Sequence, residues 1–166
     1  AGIVTVLGGY AGHSHKYKKK GGSGYLFRTS TVQDFSGVTG ACLLVKTAVY
    51  DEMHGLDEQF AVAFNDVDFC LRVRDAGYRI AWTPYAELIH YESKSRGGDE
   101  KDPVKAARFA AEQQRLYTIH GKENILDDPY YNPNLTRDRE DFSESDDLRR
   151  LKEGRVTVRF RGGTLQ

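Results

Sequence analysis

Only two cysteines, Cys42 and Cys70, occur in the 166 residues. They form no C-x-x-C pair and share no zinc-type spacing with histidine, which excludes a disulfide framework and a Cys/His structural zinc site. Both lie in apolar patterns, so the expectation is two buried, reduced thiols. No apolar run approaches the length of a membrane span. No secretory leader is legible, so secretion has no support, and the expected location is the cytoplasm, with the inner face of the membrane as the alternative. Neither sign of charge is in excess: Lys plus Arg and Asp plus Glu each number 24. That balance gives no general argument for a nucleic-acid partner or an acidic membrane.

What is present describes a folded chain. Hydrophobic residues make up 39% and charged residues 29%, the balance of a globular domain rather than a disordered one. The chain opens on "AGIVTVLGG", with a strand expected at 3–7 and no polar lead-in. The expectation drawn from that opening is a segment cut from a longer protein. "GHSHKYKKKGGSGY" reads as a long basic surface loop. "ACLLVK" (41–46) reads as a buried strand, and Thr47 as the cap of a short helix running to Met53 and ended by Gly55.

From Asn65 the pattern is helical. Val67, Cys70, Leu71 and Arg74 share one helix face, and Gly77 stops the helix. Extended runs are expected at 78–83 and 87–93, and Pro103 opens a long helix over 104–120. "DDPYYNPNL" is turn-rich, and "RVTVRFR" (155–161) alternates like an edge strand. The expected division is a folded unit over 1–143 and a charged tail over 144–166.

Asp66 stands at a helix start, where unpaired backbone N–H groups and the positive end of the helix dipole attract a carboxylate. Facing a cleft, a fixed carboxylate there has what a general base requires. Spacing by itself favours the simpler reading, a helix cap at Asn65 or Asp66 with Asp68 solvated in the first turn. The Asp66-Val67-Asp68 triplet is rejected as a metal-diphosphate motif, because residues i and i+2 point to different sides of a helix. His90, between Ile89 and Tyr91, reads alone as a core or cross-strand residue. Glu92, Ser93, Ser95 and Arg96 follow it, and an imidazole beside hydroxyls and a guanidinium suits a metal-bound diphosphate. His13 and His15 are spaced to chelate a metal, although a solvated loop is the simpler reading.

Taken together, "VTGACLLV", G-L-D-E-x-F, N-D-V-D-x-C-L-R, A-G-Y-R, W-x-P-Y-A and H-x-E-S-x-S-R-G follow one another over 37–97. That series resembles the family 2 glycosyltransferases, and most of all the bacterial members that build cell-wall, capsular or O-antigen polysaccharides, rhamnosyltransferase-like proteins included. Residues 1–16 and "DDPYYNPNL" also look like this family. The resemblance implies an α/β chain with a partial GT-A fold, a mixed sheet flanked by helices. It implies an inverting transfer of sugar from a nucleotide-diphospho-sugar donor to a saccharide acceptor hydroxyl. Asp66 matches the family's base, with Asn65 in place of the usual glutamate. His90 matches the histidine that completes the shell of a divalent metal, Mg or Mn. Gly40, Ala41, Asn65, Asp68, Ser93 and Arg96 are the expected substrate contacts.

The family's N-terminal half, with its nucleotide-binding strands and D-x-D, has no counterpart in these residues. The chain is therefore expected to be the acceptor-binding half, and not to hold donor or metal by itself. Two alternatives stand beside this reading: a non-catalytic interaction domain of the same fold, and a small metal-dependent hydrolase using His13, His15 and Asp66. An upstream D-x-D half separates the first alternative, and a metal titration the second.

Overall fold

A computed structural model describes residues 2–16, 18–19, 21–88 and 102–146, and the backbone of 158–160 and 163–165. Its strands are β1 (Gly2–Val4), β2 (Gly12–His13), β3 (Gln33–Asp34), β4 (Gly37–Val38), β5 (Ala81–Trp82), β6 (Val158–Phe160) and β7 (Gly163–Leu165). Its helices are α1 (Thr47–Glu52), α2 (Asn65–Asp75), α3 (Pro103–His120) and α4 (Lys122–Ile125). The strands form a three-stranded sheet in the order β2-β1-β4 and two separate pairs, β3-β5 and β6-β7. Every one of these pairings is antiparallel. The parallel component of the expected mixed sheet is not among them.

Helix α2 is the centre of the packing. Val67 and Leu71 join Ile3, Phe60, Phe64, Leu116 and Ile125 on one side. Phe69, Cys70 and Val73 join Val38, Val49 and Ile80 on the other. A helix buried on two sides must lie close to the sheet, and glycines permit the approach. A Cβ at Gly37 would come within 3.2 Å of the Cys70 Cβ. A Cβ at Gly2 would lie 2.3 Å from the Phe35 ring, so only glycine fits there. A third cluster unites Val4, Val6, Leu7 and Phe35 with Tyr131, Leu135 and Phe142, and so fastens the 128–142 segment under the first strand.

Buried charge organises the joints between these layers. Asp68 is 1% exposed. Its Oδ2 accepts from Arg72 Nη2 at 2.8 Å and Nε at 3.0 Å, and its Oδ1 pairs with His120 Nε2 at 2.8 Å. Arg72 also donates to the carbonyl oxygens of Met53 and Gly55. One carboxylate thereby joins α2, the end of α3 and the turn after α1. Burial pushes the Asp68 carboxyl up, but bonds to His120 and Arg72 outweigh it and hold the group below its ordinary value. Asp128, also buried, accepts from Thr5 N at 2.7 Å and Tyr130 N at 2.8 Å, which ties the "DDPYYNPNL" segment to the residue after β1.

Described residues between β2 and residue 28 are anchored to the rest of the fold. His15 has φ +58° and stacks on Phe142 with ring centroids 4.3 Å apart. Tyr25 N donates to His15 Nε2 at 3.0 Å, so that nitrogen is unprotonated. The remaining ring proton then sits on Nδ1, 2.7 Å from Ser14 Oγ. Burial, with Arg28 and Lys18 nearby, lowers the His15 pKa to about 4.

Several expectations are corrected. The 3–7 strand is shorter, and a 3-10 turn at Leu7–Gly9 follows, with φ +65° at Gly8. The run expected as a buried strand at 41–46 begins as a 3-10 turn, Gly40–Cys42, with Thr39 rather than the sheet as its partner. Leu44 is 98% exposed and Cys42 is exposed, so only Cys70 meets the expectation of a buried thiol. Burial pushes the Cys70 thiol up to about 11, while Val38 supplies both its hydrogen-bond partners. Lys46, not Thr47, occupies the cap of α1. The basic loop contributes β2, and the expected strand at 78–83 pairs only at Ala81–Trp82. Most of the run expected as extended at 87–93 lies outside the described residues. Helix α3 starts as expected, with Pro103 in its first turn and Asp102 accepting from Val104 N at 3.0 Å.

Two measurements test this architecture. Asp68→Ala leaves Arg72 and His120 without their shared partner, and is expected to cost about 3–5 kcal/mol in denaturant unfolding. Stability is also expected to fall with acid in two stages. His15 binds its proton in the unfolded chain near pH 6.5 but in the folded chain only near 4, so stability declines as pH drops through that interval. Asp68 is depressed in the folded state, so its contribution is present above about pH 4 and is lost as pH falls through its folded value. In His15→Asn, whose side chain tolerates the positive φ, thermal unfolding midpoints between pH 6.5 and 4 should lose most of their slope. An unchanged slope would show that His15 is not the group responsible.

Candidate functional site

Phe64 precedes α2 in the left-handed region, with φ +64° and ψ +2°. A large side chain is disfavoured there, so the surroundings must hold it. They do so through Glu112 of α3, which is 5% exposed. Its Oε2 accepts from Ala63 N at 2.7 Å and its Oε1 from Val62 N at 3.3 Å. Phe64 itself packs among Tyr10 and Phe109, with centroids 5.6 Å and 5.0 Å away. The chain is thus turned sharply into α2, and Asn65 and Asp66 stand at the tip.

Asp66 is fixed from two directions. Its Oδ2 accepts from Gly40 N at 2.8 Å, and its Oδ1 from Val67 N at 2.9 Å. Asn65 Oδ1 accepts from Asp66 N at 2.8 Å. Residues 26 positions apart in sequence are therefore joined through a backbone amide and a carboxylate. A Cβ at Gly40 would lie 3.4 Å from the Asp66 Cβ, which marks how closely the two segments approach. Ala41 follows Gly40 in the same 3-10 turn, and its N–H donates to Thr39 Oγ1 at 3.3 Å.

A cleft of about 350 Å³ opens beside Asp66, lined among others by Tyr10, His13, Lys16, Asn65, Phe109 and Glu140. Its volume lies within the range of small-molecule sites, and it combines aromatic walls with a few charged groups. A more apolar cavity of about 300 Å³ lies between Val38, Leu43, Phe69 and Ile80 and belongs to the packing behind α2. Of these two, the cleft bordered by Asp66 is the one that brings charged groups beside the candidate base.

The expected site residues fall into three groups. Gly40, Ala41, Asn65 and Asp66 come together at the head of α2. Asp68, expected as a substrate contact, is instead turned inward, and both its oxygens are engaged by Arg72 and His120. His90, Ser93 and Arg96 lie outside the described residues. Among the described residues no group of three or more His, Cys, Asp or Glu could hold a metal ion. Both ring nitrogens of His15 have protein partners, so the His13/His15 pair does not form a chelate in this structure.

Sequence reasoning missed Glu112, Tyr10 and Phe109. A signal for Glu112 exists: it falls in the α3 stripe Phe109, Glu112, Leu116, where a charge among apolar residues calls for a buried partner.

Comparison with known proteins places this geometry in context. The chain is 47% identical over 143 residues to an uncharacterised protein of Sinorhizobium fredii, covering 86% of this chain and 16% of that protein. It is 33% identical over 137 residues to the O-antigen biosynthesis protein RfbC of Myxococcus xanthus, covering 82% of this chain and 10% of that protein. Over 80 residues it is 32% identical to an N-acetylglucosaminyl-diphospho-decaprenol L-rhamnosyltransferase of Mycobacterium tuberculosis, covering 48% of this chain and 24% of that protein. The chain thus spans a small part of each of these relatives. No protein-family model and no solved structure matches it. Among relatives of established naming, the similarity is to glycosyltransferase and polysaccharide-biosynthesis proteins.

Proposed function

We propose that this chain is the acceptor-side portion of an inverting family 2 glycosyltransferase of the GT-A fold, with Asp66 as general base. The observation that carries the reading is the fixed Asp66 carboxylate at the head of α2, bonded to Gly40 N and bordering a cleft. Similarity to an O-antigen biosynthesis protein and a rhamnosyltransferase supports the reaction class.

In this reading an acceptor sugar enters the cleft and stacks its apolar face on the aromatic wall. Its hydroxyl approaches Asp66 on the side not taken by Gly40 and Val67. Asp66 removes the proton as the oxygen attacks the anomeric carbon, and the nucleoside diphosphate departs from the opposite face. Gly40 N holds one carboxylate oxygen in place, so little reorganisation is required at the moment of reaction. The divalent cation implied by the resemblance would neutralise the departing diphosphate. The described residues offer no ligand set for it, and the step assigned here is confined to the proton transfer at Asp66. Donor binding is assigned to segments of a longer protein.

Asp66→Asn keeps the shape of the side chain and removes its basicity. In the complete protein, turnover of a nucleotide sugar is expected to fall about a hundred-fold to ten-thousand-fold. Donor affinity should stay close to that of the unmodified protein, with stability lower by only about 1 kcal/mol, because the Asn oxygen can accept from Gly40 N or Val67 N but not both. Near-full activity in this variant would reduce Asp66 to a helix cap. Asp68→Asn should show the opposite pattern, a lowered unfolding midpoint, since its carboxylate acts inside the fold.

A further inference from the structure

The first 33 residues contain Lys16, Lys18, Lys19, Lys20 and Arg28 and not one Asp or Glu, although the chain as a whole is balanced at 24 of each sign. All of the acid therefore lies from Asp34 onward. Within this acid-free segment, the 3-10 turn Tyr25–Phe27 places two large apolar side chains in solvent: Leu26 is 76% exposed and Phe27 65%. Val32, 56% exposed, follows on the same segment.

The backbone of this turn is unusual. Leu26 has φ +45° and Phe27 φ +61°, two successive non-glycine residues in the left-handed region. Each is disfavoured by sterics, and a pair of them persists only where neighbouring bonds over-determine it. Those bonds are present. Tyr25 N donates to His15 Nε2 at 3.0 Å, Thr29 N to Ser23 O at 3.1 Å, and Thr29 Oγ1 to Gly22 O at 2.6 Å. Arg28 Nη1 donates to Tyr130 O at 2.8 Å. The base of the turn is therefore fixed, and its apex holds Leu26 and Phe27 away from the core. Lys18 sits at the same base, where a Cβ at Gly22 would meet its Nζ at 2.2 Å, and Lys18 and Lys19 are both exposed.

We propose that this turn and its lysines dock the protein on an anionic lipid bilayer, with Leu26 and Phe27 entering the interface and the lysines meeting the headgroups. Charge complementarity selects the occupant. An anionic bilayer rewards each cation near its surface and accepts bare apolar side chains at the headgroup boundary, which fits a lysine-bearing segment with exposed apolar tips and no acid of its own. No helix of the described residues is long and apolar enough to cross a membrane. The inference does not rest on the glycosyltransferase reading.

The test is co-sedimentation of the chain with vesicles of phosphatidylcholine alone and with 30% phosphatidylglycerol, at low and high salt. Binding is expected to the anionic vesicles and to weaken as salt rises. The double variant Leu26→Asn, Phe27→Asn removes the apolar tips while placing a residue that tolerates positive φ at both positions. It should bind at least ten-fold more weakly, with an unfolding midpoint equal to or above that of the parent. Lys18→Ser with Lys19→Ser should weaken binding about five-fold per lysine and flatten the salt dependence. Unaltered binding of the Asn variant overturns the proposal, as does equal binding to neutral vesicles. Lipid-independent self-association that the Asn variant abolishes also overturns it, by assigning the surface to a second copy of the chain.

Discussion

The rest of the structure depends on what happens to the carboxylate of Asp68. A charge that is 1% exposed must be paired on both oxygens or the fold loses several kcal/mol. Its partners come from different places. Arg72 lies one turn further along α2 and reaches the turn after α1, while His120 ends α3. Satisfying one buried group therefore fixes the rotation of α2 about its own axis. With that rotation set, Val67 and Leu71 face one apolar cluster and Phe69, Cys70 and Val73 the other. Asp66, two residues earlier, is directed elsewhere, toward Gly40 and the cleft. The inward acid and the outward acid are set by the same helical geometry, since residues i and i+2 cannot share a face.

A second constraint acts at the head of the helix. Phe64 in the left-handed region is a local cost, and Glu112 offsets it by accepting from the two amides that precede it. Without such acceptors, Val62 and Ala63 would leave N–H groups unpaired at a partly buried position. The arrangement makes α3 a support for Asp66, acting through the two amides from which Glu112 accepts. Strain concentrated two residues before a candidate base, and held by a buried acid from another helix, is the pattern of a preorganised site.

Much of this was legible in the residues, and the parts that were not share a physical cause. The start of α3 was readable because Asp102 and Pro103 are local signals, and α2 because its apolar positions recur at helical spacing. Gly40 and Asp66 were expected near one another only through a family resemblance; composition and periodicity do not bring residues 26 apart together. Asp68 looked solvated because first-turn acids usually are, and nothing local announces that His120 will arrive from 52 residues away. "ACLLVK" misled for the opposite reason. Its apolar content suggested a strand, but Thr39 captures the Ala41 amide in a tight turn and Leu44 points outward. Hydrophobic content reports burial only when a neighbouring element is available to cover it.

The basic segment was read as a loop because lysines and glycines carry no periodicity, and its order comes from a histidine acting as an acceptor. His15 can take the Tyr25 amide proton only while neutral, and burial against Phe142 keeps it neutral near physiological pH. That one imidazole links two features of the molecule. On one side of it Lys16 lines the Asp66 cleft, and on the other Tyr25 begins the turn that carries Leu26 and Phe27. Protonating His15 would cost the Tyr25 amide its acceptor, so the order of that turn and the neutrality of one ring nitrogen are the same condition.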